Sequence, residues 1–379
     1  MNDKEEIAPA LESLYSVNLG VKRSERVLVF TDYPNITPEL AESSLKRSED
    51  IQQVASEVAA FGRNRCEIIF CRYPATSRHG VEPPPILWEK AFGSRLVDLL
   101  EDQELLAKIL AKDLNLDELS LIRKLVAANR DSSVDVVIAL AYHSTSHTLF
   151  RKLLTEICGT RYASMPEFER PMLRGAMAVD YLEMAGRTAK IAVLISQAAS
   201  LRITAPNGTD LTIVIGGRQV LSDTGLLTEP GSFSNLPAGE VFLAPLEDQS
   251  SGKLVFDLAA GEKLVQELCL EFSEGKVSQI RGQGPYRDYL EKLFADSHLN
   301  RNLAELGIGT NTGAKNPYNV LEAEKIWGTI HIALGDNSSF GGTVATSFHQ
   351  DYVVSQPSIT LFPADADPLT VLVDGQWKL

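Results

Sequence analysis

The chain of 379 residues holds six histidines against fifty acidic side chains, so places where the two types come close carry most of its potential for metal chemistry. His349-Gln350-Asp351 is the sharpest of them. In an extended strand, side chains two apart point to the same face, so this imidazole and carboxylate could chelate one cation from a rigid element. By itself the pair reads more readily as a surface ion pair. His331 strengthens it by interrupting the apolar run Gly328-Thr329-Ile330-His331-Ile332-Ala333-Leu334-Gly335. A lone histidine there is ordinarily a core residue with one nitrogen bonded. The polar, glycine-containing segment 336–342 is short enough to return the chain as an antiparallel neighbour, which would let His331 and His349 face each other. Two glutamates stand at comparable boundaries. Glu240 follows the turn Asn235-Leu236-Pro237-Ala238-Gly239 into a strand, and Glu305 ends an acidic-apolar, helix-like stretch before Leu306-Gly307-Ile308-Gly309-Thr310-Asn311. Taken singly, either glutamate is more often solvated than ligating.

The elements that must position these side chains fall into two textures. Up to about residue 195, apolar runs at 26–30, 67–70 and 134–140 alternate with amphipathic stretches at 11–19, 38–61 and 96–129. Leu105, Leu106, Ile109 and Leu110 recur at helical spacing. Strand-helix alternation of this kind implies a mainly parallel sheet covered by helices. Ligands of such sheets bind beyond the carboxyl ends of the strands, where His143 and His147 would lie. From Leu201 onward, short strands and turns dominate. Pro206-Asn207-Gly208-Thr209-Asp210 between two β-type runs is a strong hairpin signal. Further β-type runs lie at 241–243, 254–258, 330–334, 352–354 and 370–373, and 286–294 reads as a helix. The expected fold is an α/β N-terminal domain with a mainly parallel sheet (1–195), followed by a β-rich α+β domain carrying the metal site (196–379). Two domains also suit the length.

Composition narrows the function classes. Hydrophobic residues at 44% and charged residues at 23% are ordinary globular values. A net charge of −14 argues against a nucleic-acid footprint and against a basic membrane-binding face. Four cysteines without C-x-x-C spacing imply buried thiols in a reducing compartment. The acidic start lacks the basic and apolar regions of a secretory signal, and no apolar run approaches membrane-spanning length. A soluble, cytoplasmic protein is expected.

The segments 235–242, 301–311, 328–335 and 349–351 occur in this order, at similar separations, in the aminopeptidase T/aminopeptidase S metallopeptidases. The chain resembles that family's shorter "leucyl aminopeptidase" relatives. The likeness is densest from about residue 205 to the C-terminus and includes Gly208-Thr209-Asp210-Leu211 and Leu321-Glu322-Ala323-Glu324-Lys325-Ile326. It continues more thinly at His79-Gly80-Val81-Glu82-Pro83-Pro84, at Ser146-His147-Thr148 and at 161–166. The piece at 95–130 looks like a helical insertion. By this resemblance Glu240, Glu305, His331, His349 and Asp351 are the ligands of a two-metal centre in a homodimeric aminopeptidase acting on short peptides. Three carboxylates and two neutral imidazoles around two divalent ions leave one positive charge, which a bridging hydroxide neutralises. Nitrogen and oxygen donors without sulfur suit zinc, cobalt or manganese. His147, with His79 and Glu82 on another loop, would contact substrate, the two prolines offering a purely loop-structuring alternative for the latter pair.

Two chemical positions depart from the pattern. The long-form aminopeptidases carry a general-base glutamate five residues before the histidine matching His331, and a tyrosine seven residues after it; here these are Ile326 and Ser338. Glu324 is the natural substitute for the base, on the same face if the segment is extended, and Tyr318 or Tyr352 could replace the tyrosine. The dihydroxypyridine ring-cleaving dioxygenases resemble the same scaffold but hold one ferrous ion on two histidines and an aspartate. Their pattern has a histidine where Glu305 stands and none at His331. Mononuclear iron on His331, His349 and Asp351 is therefore an alternative, as is a metal-binding relative without its catalytic base. The remaining signals are weaker. His143 and His147 have helical zinc spacing but no glutamate after the first, the loop 307–313 lacks the lysine of a phosphate loop, and His298 reads as an exposed helix residue.

Overall fold

The computed structural model describes residues 3–34, 42–259 and 261–378, which divide into two compact units. The first comprises Met1–Tyr181 and Gly225–Pro237, the second Leu182–Thr224 and Ala238–Leu379. The apolar runs of the first unit form β1 (Arg26–Tyr33), β2 (Glu67–Pro74), β3 (Val136–Ala139) and β4 (Arg161–Ser164). They pair in parallel in the order β2-β1-β3-β4. Val27 to Phe30 and Val136 to Ala139 are all buried, the continuous apolar signature of a sheet covered on both faces. Helix Glu42–Gly62 links β1 to β2; positions 38–41 of the amphipathic stretch lie outside the described residues. Four helices fill the way from β2 to β3, at Pro85–Phe92, Ser94–Asp102, Leu105–Ala111 and Leu116–Asn129. Among the described residues no helix is long and apolar enough to cross a membrane.

The second unit starts with helix Tyr181–Ser196 at its boundary, then β5 (Ser200–Thr204), β6 (Asp210–Val214) and β7 (Leu221–Asp223). The chain next returns to the first sheet, where β8 (Phe233–Asn235) pairs in parallel with β4. It continues in the second unit as β9 (Glu240–Leu243), β10 (Ser251–Ala259), β11 (Glu262–Ser273) and β12 (Lys276–Arg281). After helix Pro285–Asp296 come β13 (Leu303–Gly309), β14 (Ile330–Gly335), β15 (His349–Val354), β16 (Ser358–Phe362), β17 (Leu369–Val373) and β18 (Gln376–Trp377). They make two antiparallel sheets, ordered β12-β11-β10-β6-β5-β16-β17-β18 and β15-β14-β13-β9-β7. The β5–β6 hairpin closes where its sequence implied, with Gly208 at φ +94° and the Asn207 side chain accepting the Thr209 amide.

Apolar side chains from both sheets make one core. Leu201, Ile203, Leu211, Ile213 and Phe256 come from the larger sheet, and Val241, Leu306, Ile308, Ile330, Ile332 and Tyr352 from the smaller. The helix-like reading of the stretch before Glu305 needs correction. The helix ends at Asp296, and Glu305 lies inside β13, all seven residues of which are buried between β14 and β9. Pairing on both sides outweighs the local pattern there.

Candidate metal centre

The smaller sheet sorts its side chains by parity. Val241 and Leu243, Leu306 and Ile308, Ile330, Ile332 and Leu334, and Tyr352 and Val354 all join the core. Since successive side chains alternate across a strand, the intervening positions share the opposite face: Glu240, Glu305, Gly307, Gly309, His331, Ala333, Gly335, His349 and Asp351. Register then decides which of them meet. Asp351, Ala333 and Glu305 form one row across three strands, and alanine at its centre leaves room between the carboxylates. His331 lies opposite Gly307 and Val353, His349 opposite Gly335, and Glu240 opposite Gly309. The two imidazoles therefore do not face each other directly, as the short connection suggested. The Asp351–Glu305 row lies between them.

All five side chains converge. Glu305 Oε1 is 3.4 Å from His331 Nε2, and its other oxygen is 3.5 Å from His349 Nε2. His331 Nε2 is also 3.5 Å from Glu240 Oε2, and His349 Nε2 is 3.7 Å from Asp351 Oδ1. Two donors about 2.0–2.2 Å from a common ion are themselves separated by about 2.8–3.6 Å, so the spacings of 3.4 and 3.5 Å suit ligands of a shared cation, and the 3.7 Å between His349 and Asp351 lies just beyond that range. Glu305, His349 and Asp351 each bring a donor atom within 4.8 Å of the other two. His349 Nδ1 donates to the Asp336 carbonyl at 2.8 Å, which leaves Nε2 as the atom facing the two carboxylates and fixes the tautomer a metal ligand needs. Glu240 Oε2 is buried and has no hydrogen-bond partner among the described residues. Acceptors turned toward one another in this way fit a divalent cation.

Charge around the centre is lopsided. Burial pushes the Glu240 carboxyl up to about 7 in spite of Lys325 and His331 beside it. Burial and the neighbouring Glu324 carry Asp351 to about 7 as well. Burial works against a charged His331, yet Glu305, Glu240, Asp351 and Glu324 hold it at about 9. His349 rises against its burial too, through Asp351 and Glu305. These are the shifts of a cluster whose carboxylates outnumber its fixed cations.

Glu324 reaches this cluster from a loop. The segment is not extended, the condition on which Glu324 would share a face with position 326, but a single helical turn, Val320–Ala323, followed by Glu324 at φ −61°. Asn319 caps the turn, and Glu322 Oε1 accepts the Lys315 and Asn316 amides, folding the loop on itself. Burial would raise the Glu324 carboxyl, but Lys325 and His331 hold it below its ordinary value. Nothing in the sequence singles out Lys325. It is 1% exposed, with Nζ 2.7 Å from Glu240 Oε1 and 3.0 Å from Glu324 Oε2. Burial disfavours its ammonium, but Glu240, Glu324 and Asp223 keep it protonated well beyond the usual lysine range. Asn311 fixes the segment, its amide donating to the Lys325 carbonyl and its side chain to the Ala238 carbonyl. Of the candidate tyrosines, Tyr352 belongs to the core face and shares a hydrogen bond with Tyr286, so it does not serve this centre. Tyr318 is exposed, as is His298.

The other expected contacts lie in the first unit. His79 accepts the Ser144 amide and stands 3.5 Å from Glu167, and its ring is 5.5 Å from that of His143. His147 is exposed, beside Gly80. Buried Glu82 spends both oxygens on the Leu149 and Phe150 amides, at 2.6 and 3.1 Å. Glu82→Ala would leave those two donors unpaired and lower stability by about 1–3 kcal/mol. A reduced urea midpoint with unchanged metal content is the expected result.

A family model for the 2,5-dihydroxypyridine 5,6-dioxygenase NicX matches residues 121–376. The chain belongs to the NicX family. Among solved structures, the 2,5-dihydroxypyridine dioxygenase of Pseudomonas putida aligns with 100% of this chain and 98% of its own, at 17% identity and a TM-score of 0.66. Wild-type AmpT from Thermus thermophilus aligns with 99% of this chain and 100% of its own, at 15% identity and a TM-score of 0.57. At these identities the likeness concerns the fold alone, and the fold is common to both. Among curated proteins, none matches the chain. The comparisons thus back the ring-cleaving alternative better than the aminopeptidase expectation, within a NicX fold that also accommodates AmpT.

Proposed function

We propose that this member of the NicX family is a metal-dependent hydrolase of small amide-bonded substrates, of the aminopeptidase type. Because the family comparison leans toward the oxygenase, the proposal is carried by the site itself. Its single supporting observation is Glu305, whose two oxygens face two different imidazoles at 3.4 and 3.5 Å. A carboxylate so placed would be shared between two ligand groups, with Glu240 and His331 on one side and His349 and Asp351 on the other. Divalent ions held there would acidify a water and polarise a carbonyl. Glu324, kept ionised by Lys325 and His331, would receive the proton of that water and pass it to the leaving amine.

A second reading has its own support. His331, His349 and Asp351 offer the two imidazoles and one carboxylate of a mononuclear iron set, and the family model that matches is that of a dioxygenase. One ferrous ion there would serve the opening of a hydroxylated pyridine ring. Against this stand the carboxylate at 305 and the further donor, Glu240.

Metal-free protein reloaded separately with manganese, zinc or ferrous iron discriminates the two. Leucinamide hydrolysis with manganese or zinc, and no oxygen uptake on 2,5-dihydroxypyridine with iron, is the expected pattern. Oxygen uptake with iron and no amide hydrolysis under any loading would replace the hydrolase by the ring-opening enzyme.

A further inference from the structure

Lys325 brings a positive charge into the centre that does not depend on any bound ion. A lysine ammonium is a compact charge with three donors, and burial as deep as this is tolerated only because it is paired. Its pairing divides Glu240 between two duties. Oε1 is held at 2.7 Å by the ammonium, while Oε2 points to His331 at 3.5 Å. Among the described residues no lysine or arginine pairs with Glu305, His349 or Asp351, whose donor atoms are already within one ion's span of each other.

We propose that Lys325 is a built-in cation that makes the two halves of the centre unequal. Glu305, His349 and Asp351 take a first divalent ion tightly, while the ammonium competes with a second ion for Glu240, so the second is held weakly and exchanges. The inference rests on the metal-centre reading above. Charge gives the direction. With Lys325 present, one ammonium offsets one of the five carboxylates Glu240, Glu305, Glu324, Asp351 and Asp223. After the first ion, a second then meets two net negative charges. Without the ammonium it meets three, and Glu240 is free to turn both oxygens inward. At separations of a few ångströms in a buried site, one unit of charge is enough to change the affinity for a divalent ion by roughly tenfold or more.

The test is manganese binding by the full-length, metal-free chain. Calorimetry reads the affinities, and elemental analysis after gel filtration reads the ions retained. Wild type should retain one manganese per chain and bind a second only in excess metal. Lys325→Met should retain two, with the second bound roughly tenfold or more tightly. Lys325→Gln keeps a side-chain donor for Glu240 and Glu324 but not the charge, so it should behave likewise and covers the case in which the methionine variant does not fold. A lysine with a merely structural role would predict the opposite, because disturbing the site would lose ions. Folded variants that retain no more metal than wild type overturn the inference, as does a wild type that holds two ions equally tightly. Wild type that binds no manganese, zinc or iron overturns the proposed function, and the inference with it, in a separate arm of the same experiment.

Discussion

Glu305→Gln leaves the chain folded and strips it of metal. The substitution keeps the size and shape of a side chain that is 90% covered and removes only its charge. Yet it takes one donor from each half of the centre at once, because one carboxylate oxygen faces His331 and the other faces His349. Loss of an outer hydrogen-bonding partner of a metal ligand typically costs about 10–100-fold in affinity. Loss of the ligand that both halves share should exceed the upper end of that range. Manganese retention after gel filtration should fall to background, with an unchanged far-ultraviolet spectrum. A Glu305→Gln protein that holds manganese as wild type does would remove Glu305 from the centre and leave the hydrolytic proposal without its main support. Glu305→His asks the complementary question. It supplies the histidine that resemblance attributes to the ring-cleaving enzymes at this position while leaving His331 in place, so any latent oxygenase capacity of the scaffold should emerge as iron-dependent oxygen uptake. If wild type is itself an oxygenase, this variant should gain little.

The candidate ligands were legible in the sequence for a reason specific to strands. His349 and Asp351 are two apart in a strand, so spacing alone put them on one face, and the structure has them there. His331 sat in an apolar run as an evident exception, and that run is β14. Glu305 was harder. Acidic and apolar residues before it imitate a helix, and only pairing with β9 and β14 makes them a strand. Lys325 was invisible because nothing periodic surrounds it. It follows a one-turn helix held by Asn319 and Glu322, and a Glu-Ala-Glu-Lys run reads as solvated when considered alone. Its burial depends on Asn311 and on the turn before Glu240, both distant in sequence. Glu82 illustrates the reverse. Its type and position suggested contact with substrate, whereas its oxygens meet two backbone amides at a helix start.

The glycines of the 307–313 loop signalled a phosphate site only superficially, and the structure supplies another reason for the first of them. Gly307 faces His331 across the β13–β14 pair. A Cβ at this position would lie 2.0 Å from both Cε1 and Nε2 of the imidazole, far inside contact distance. The ring cannot retreat to solvent, since His331 is only 1% exposed. Gly307→Ala should therefore push the imidazole out of its place beside Glu305. Overpacking of this kind typically costs about 1–3 kcal/mol in stability, and misplacing a functional group by about 1 Å can cost about 100-fold in activity. Gly186→Ala is the natural control. It lies within helix Tyr181–Ser196 with open space around it, and should leave stability unchanged or raise it by about 0.5–1 kcal/mol. The decisive measurement is a double-mutant cycle. If the cost of Gly307→Ala is the clash with the ring, it should largely vanish on a His331→Ala background, a coupling of about 0.5–3 kcal/mol. Equal costs with and without the imidazole would mean that glycine at 307 serves β13 itself and not the histidine opposite.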